Sequence, residues 1–158
     1  MSKGLPTGVA APDFTLQDTE GKPFTLSKRI GENNIILLFF PLAFSGVCTN
    51  EMCYVRDTMS TFDKLDAEVI GVSVDSFFAL REFKKANNLN FKLVSDFNKE
   101  TTSKYNVLDT NFFGMNGVAK RSVFIIGRNG LINYSEVLDN ADNLPDFDSI
   151  QTLLKNLD

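Results

Sequence analysis

With 158 residues, 43% of them apolar and 23% charged, the chain has an ordinary globular composition and enough length to bury one self-sufficient core. A net charge of −4 leaves no basic surplus to neutralise phosphates, which excludes generic nucleic-acid binding. There is no histidine, so His-based general-base catalysis and His metal sites are excluded, and two cysteines cannot build a four-ligand zinc site without recruiting carboxylates.

The longest apolar run ends at Pro41 and is far too short to cross a bilayer. The opening Met-Ser-Lys-Gly-Leu-Pro-Thr-Gly lacks the apolar stretch of a secretory signal, so a cytoplasmic location is expected. In that compartment two cysteines serve transient redox chemistry or plain burial rather than a structural staple.

Ala11-Pro12-Asp13-Phe14-Thr15-Leu16-Gln17 alternates apolar and polar residues, breaks at Glu20-Gly21, and resumes at Phe24-Thr25-Leu26. This predicts a small hairpin appended in front of the main fold. Ser27 is expected to cap a short turn through Ile30, with Gly31 ending it. Asn34–Phe40 reads as a buried strand. A long helix follows from about Val47 to Asp66, with Met52, Val55, Met59, Phe62 and Leu65 on one apolar stripe. Val69–Val74 is a second buried strand, parallel to the first if the helix is its crossover.

Ser76 is placed as the cap of a helix carrying Leu80, Phe83 and Ala86 and fading at Asn87-Asn88. Phe91–Val94 predicts a short strand and Asn98–Tyr105 a short helix. A loop with Phe112-Phe113-Gly114-Met115-Asn116-Gly117 comes next; burial is the default for Phe112, Phe113 and Met115, with a dimer contact or an entrance as alternatives. Arg121–Ile126 and Leu131–Val137 flank Arg128-Asn129-Gly130, a strong hairpin signal. The last helix starts near Pro145-Asp146 and buries Phe147, Ile150, Leu153, Leu154 and Leu157. With no linker, repeat or low-complexity segment, residues 1–158 are read as one domain. Its α/β class is a mixed central sheet flanked by helices, the thioredoxin-like pattern with an N-terminal β-hairpin extension.

The chemistry is placed at Pro41-Leu-Ala-Phe-Ser45-Gly46-Val-Cys48-Thr-Asn-Glu51-Met-Cys53, between the first buried strand and the long helix. Cys48 falls in the first helical turn, where unpaired amides and the positive dipole end favour thiolate over thiol. Ser45 offers a hydroxyl donor, and Gly46 allows close backbone approach. The alternative is that Cys48 is simply a small buried hydrophobe.

Pro41-x-x-x-Ser45-x-x-Cys48 resembles the peroxiredoxin motif Pro-x-x-x-Thr/Ser-x-x-Cys. Ala11-Pro12-Asp13-Phe14-x-Leu16, Phe39-Phe40-Pro41-Leu42-Ala43-Phe44 and Arg121-Ser-Val-Phe-Ile-Ile match in order along most of the chain. The resemblance implies thiol-dependent reduction of peroxide. Cys48 would be the peroxidatic nucleophile and pass through a sulfenic acid. Ser45 and Arg121 would activate the thiolate and hold the peroxide, and Pro41, with no amide hydrogen, would cover the site. Glu51 would orient an arginine, or serve as a favourable anion in a first helical turn.

Cys53 follows Cys48 by five residues, about 140° around a helix and about 7.5 Å along its axis. That rise exceeds the usual disulfide Cα separation of up to ~7 Å, so a bond between the two requires the first turn to unwind. Peroxiredoxins resembling the bacterioferritin-comigratory group place their resolving cysteine at this spacing. The resemblance therefore implies a Cys48–Cys53 disulfide recycled by thioredoxin or a similar thiol reductant. A one-cysteine mechanism and a redox sensor or holdase stay open. No cofactor, metal or membrane partner is expected, and the chain acts as a monomer or homodimer.

Overall fold

The computed structural model describes residues 4–157; Met1-Ser-Lys3, part of the opening segment read for a secretory signal, and Asp158 lie outside it. Strands Thr15–Asp18 (β1), Pro23–Thr25 (β2), Asn34–Phe39 (β3), Ala67–Ser73 (β4), Lys92–Ser95 (β5), Ser122–Ile126 (β8) and Ile132–Val137 (β9) form one seven-stranded sheet in the order β2-β1-β5-β4-β3-β8-β9. Leu108–Asp109 (β6) and Val118–Ala119 (β7) make a separate two-stranded ladder. The helices are Gly46–Lys64 (α1), Phe77–Ala86 (α2), Glu100–Lys104 (α3) and Phe147–Lys155 (α4).

β3 lies between β4, which runs parallel to it, and the antiparallel β8. Both of its edges are therefore paired, and every β3 residue is buried. Successive side chains alternate between two apolar layers. Ile36 and Leu38, with Phe40 beyond the strand, pack with Met52, Val55 and Phe62 of α1, Leu80 and Phe83 of α2, and Ile150 of α4. Ile35, Leu37 and Phe39 face Phe14, Tyr105 and Phe124 on the other side. At roughly 1.5–3 kcal/mol for each buried large apolar side chain, this strand anchors the fold. α1 is the crossover from β3 to β4, and its apolar stripe places Cys48 inward with no exposure.

Three expectations are corrected. The N-terminal hairpin is not an appendage: Gln17 and Asp18 of β1 pair antiparallel with Ser95 and Val94 of β5, so the hairpin is the edge of the main sheet. Asp18 secures it by accepting from the amides of Glu20 and Lys22 (2.9 and 3.0 Å) and pairing with Lys92 of β5 at 3.3 Å. Ser27 caps nothing. The short 3-10 turn Leu26–Lys28 is entered at Thr25, and the Ser27 amide donates to the Asp13 carboxylate at 2.8 Å.

The segment after α3 is not all loop. Phe112 and Met115 exchange backbone hydrogen bonds across Phe113 and Gly114, whose φ values of 53° and 83° make a tight hairpin turn. That turn pushes Phe113 out to 85% exposure and leaves Met115 exposed, so neither is core. The expected Asn129-Gly130 hairpin is present and joins β8 to β9: Gly130 has positive φ (81°), its amide donates to the Gly127 carbonyl at 2.9 Å, and a bulge at Ile125/Ile126 precedes the turn. Among the described residues, no helix is long and apolar enough to cross a membrane.

Candidate active site

β3 ends at Phe39, and the chain turns over Pro41–Ser45 into α1. Phe44 makes the turn with φ 68°, a left-handed conformation costing a non-glycine residue about 1–2 kcal/mol, and sets its ring 5.2 Å from that of Phe83. Asp75, just past β4, holds the loop from below. Its Oδ2 accepts from the Ala43 amide at 2.8 Å and from the Ser73 hydroxyl at 2.7 Å.

Helix α1 begins at Gly46 with Ser45 as its N-cap, so Cys48 lies in the first turn. The Ser45 carbonyl accepts from the Thr49 amide and hydroxyl at 2.9 and 2.8 Å. The Ser45 hydroxyl does not reach the sulfur; it donates to the Leu42 carbonyl at 3.0 Å and ties the loop to itself.

Arg121, immediately before β8, enters from the neighbouring strand. Its Nη2 lies 3.3 Å from Cys48 Sγ, and its Nη1 donates to Glu51 Oε1 at 2.6 Å. Nε and Nη2 also donate to the Ala141 carbonyl at 3.2 and 3.0 Å. The guanidinium is thus fixed on three sides, with one edge toward the thiol, and Arg121 as a whole is 2% exposed. Burial works against its charge, but Glu51 and Cys48 beside it outweigh that and keep it cationic.

Burial pushes the Glu51 carboxyl up to about 7, against the pull of Arg121, and the Glu136 carboxylate adds to the rise. Its second oxygen, Oε2, is buried with no hydrogen-bond partner. Pro41 and Arg121 line a cavity of about 470 Å³ together with Phe112, Leu138, Asp109 and Asp139. Through Arg121 and Ala141 the cavity adjoins the hydrogen-bonded group around the buried thiol.

Of the residues singled out in the sequence, Cys48, Glu51 and Arg121 meet in one hydrogen-bonded group, and Pro41 borders the cavity over it. Ser45 stands beside the group with its hydroxyl turned to the loop. Cys53 lies apart, half-buried, with its thiol donating to Asn87 Oδ1 at 3.7 Å; both cysteines are free thiols. Sequence reasoning missed Asp75 and the Ala141 carbonyl. The Ser73-x-Asp75 pair at the end of an apolar strand is a legible polar signal for the first, whereas a backbone carbonyl leaves none. Among the described residues, no group of three or more Cys, Asp or Glu side chains is arranged to hold a metal ion.

Residues 7–135 match the model of the AhpC/TSA family. A putative peroxiredoxin of Synechocystis is 38% identical over 147 residues, covering 87% of this chain and 71% of that protein. Alkyl hydroperoxide reductase E of Mycobacterium tuberculosis is 33% identical over 135 residues, covering 84% and 86%. Among solved structures, the reduced 2-Cys peroxiredoxin of Plasmodium vivax superposes with a TM-score of 0.84 at 27% identity, covering 94% of this chain and 80% of that one. Peroxidoxin BcpB of Mycobacterium tuberculosis shares the fold with a TM-score of 0.87 at 24% identity, over 98% and 99% of the two chains.

A thioredoxin-like sheet with a cysteine at the head of its first long helix defines the class of thiol redox proteins. Within that class the chain belongs to the AhpC/TSA family, the peroxiredoxins, and its activity is that of a thiol-dependent peroxidase.

Proposed function

We propose that the chain, as one domain over residues 1–158, reduces hydrogen peroxide and organic hydroperoxides at Cys48. The observation that carries this reading is the Arg121 guanidinium, held by Glu51 and Ala141 with Nη2 3.3 Å from Cys48 Sγ. The Cys48 thiolate attacks one peroxide oxygen. An S–O bond forms as the O–O bond breaks, the sulfur is oxidised to a sulfenic acid, and the other oxygen leaves as water or an alcohol after taking a proton. Arg121 is a donor with no acceptor, so it can bind the leaving oxygen as charge develops there. Glu51 positions Arg121. Pro41 limits water at the cavity mouth without offering a competing amide, and Ser45 steadies the loop that carries the helix start.

In the reading we favour, Cys53 then attacks the sulfenic sulfur, water leaves, and the Cys48–Cys53 disulfide is reduced by thioredoxin or a similar dithiol. The five-residue spacing supports this, as does the bacterioferritin-comigratory pattern it resembles. A one-cysteine mechanism with an external thiol is the second reading, favoured by the contact that holds Cys53 on Asn87. Mass spectrometry after one equivalent of hydrogen peroxide separates the two. Loss of two hydrogens is expected for resolution, whereas gain of one oxygen that persists would overturn it. Sustained thioredoxin-driven turnover by Cys53→Ser would likewise exclude a resolving role, and stoichiometric response without turnover would point to a sensor.

A further inference from the structure

Cys53 is fastened to a different helix from the one it belongs to. Its thiol donates to Asn87 Oδ1 at 3.7 Å, and Asn87 is the C-cap of α2. The orientation of that amide is set by its other end, since Nδ2 donates to the Phe83 carbonyl at 3.1 Å. One turn past Cys53, Arg56 Nη1 donates to the backbone carbonyl of the same Asn87 at 2.6 Å. Asn90 Nδ2 returns the contact by donating to the Arg56 carbonyl at 3.2 Å. A single turn of α1 is thus tied to the end of α2 by three hydrogen bonds, and two of them end on Asn87.

A bond between Cys48 and Cys53 cannot close on intact helix, so α1 must open from its N-terminal end. How far it opens depends on where the helix is held. The Arg56 clamp lies just beyond Cys53, so it marks the end of the segment that can unwind. The side-chain oxygen of Asn87 acts on the sulfur itself, since Cys53 must leave it before meeting Cys48.

We infer that Asn87 is a positioning residue for disulfide formation. Its side-chain oxygen holds Cys53 on α2 and slows resolution, while its carbonyl, through Arg56, keeps the helix formed from residue 56 onward. This rests on the reading of Cys53 as the resolving cysteine. In the step concerned, the Cys53 sulfur attacks the Cys48 sulfenic sulfur. The S–S bond forms as the S–O bond breaks, and the hydroxide leaves as water with the thiol proton.

The test is a rapid-quench time course with one equivalent of hydrogen peroxide, read by mass spectrometry, on the wild-type chain, Asn87→Ala and Asn87→Asp. Asn87 has φ −110°, which alanine adopts without strain, and Asn87→Ala leaves the carbonyl that Arg56 binds. Sulfenic acid formation should be the same in all three. Disulfide formation should be about threefold faster in Asn87→Ala, the factor expected for losing one weak hydrogen bond. It should be slower than wild type in Asn87→Asp, which keeps an acceptor oxygen and adds a negative charge that disfavours the Cys53 thiolate. The yield of sulfinic acid under excess peroxide should fall in the first variant and rise in the second. Equal disulfide rates in all three, or a shift in the same direction in both variants, as simple loosening of α2 would produce, overturns the inference about Asn87. If the wild-type chain forms no disulfide at all, the resolving reading itself fails and takes the inference with it.

Discussion

Arg121 and Glu51 form an ion pair of 2.6 Å whose side chains are 1% and 0% exposed, with the second Glu51 oxygen left unpartnered. A carboxylate in that position is costly unless it is neutralised by charge or by a proton, and here both options are near balance. The Glu51 carboxyl titrates in the folded chain at about 7, against an ordinary 4.5, with burial as the main cause.

Between pH 4.5 and about 7 the folded chain binds a proton at Glu51 that the unfolded chain has released. This contribution to stability is full below 4.5 and is lost as pH rises through about 7. Its size is on the order of 3 kcal/mol, at about 1.4 kcal/mol per pKa unit. Glu51→Gln should remove that part of the slope, as measured by denaturant unfolding at pH 5 and pH 8. A slope identical to wild type would exclude Glu51 as its source.

Arg121→Met should destabilise the fold by about 3–5 kcal/mol, because Glu51 is left as an unpaired buried carboxyl. Adding Glu51→Gln should return much of that stability without restoring peroxide reduction. Arg121→Lys keeps the charge but loses the fork that spans Glu51, Ala141 and the sulfur. We expect its second-order rate with hydrogen peroxide to fall about a hundredfold, the loss of one or two charge-assisted hydrogen bonds. Stopped-flow peroxide consumption measures this.

Ser45→Ala removes the 3.0 Å bond to the Leu42 carbonyl and frees the loop that leads into α1. Peroxide consumption should slow by about tenfold, the equivalent of one hydrogen bond of roughly 1.4 kcal/mol. Ser45→Thr, which keeps the donor and stiffens the rotamer, should match or exceed wild type. An unchanged rate in the alanine variant would remove Ser45 from the mechanism.

Asp75→Ala withdraws the acceptor shared by the Ala43 amide and the Ser73 hydroxyl. Stability should drop by about 1–3 kcal/mol through the donors left unsatisfied. The rate at Cys48 should drop with it, because the loop before α1 loses its support. Asp75→Asn keeps one acceptor oxygen and should recover most of both; thermal unfolding and peroxide kinetics on the same samples check the pair.

How much of this was legible varies with sequence distance. The strand through Ile35, Leu37 and Phe39, the α1 stripe, the Ser76 cap, which accepts from the Ala79 amide at 3.2 Å, and the Asn129-Gly130 hairpin are local patterns, readable because period and turn chemistry act over a few residues. The β6–β7 ladder was not readable: two-residue strands show no period. Phe113 misled because an apolar side chain at a turn tip is placed by backbone φ, not by its hydrophobicity.

By itself the sequence determined a thioredoxin-like order of strands and helices, and a cysteine at the first turn of a helix that carries one apolar stripe. Those features follow from residue spacing along one element. Only the tertiary structure decided that the first hairpin pairs with β5, that Arg121 reaches across to both Glu51 and Cys48, that the Ser45 hydroxyl serves the loop, and that Cys53 rests on Asn87. Most of these join residues far apart in the chain, and the Ser45 contact turns on one rotamer; hydrogen-bond geometry on that scale is set by how whole elements pack, which no local pattern encodes.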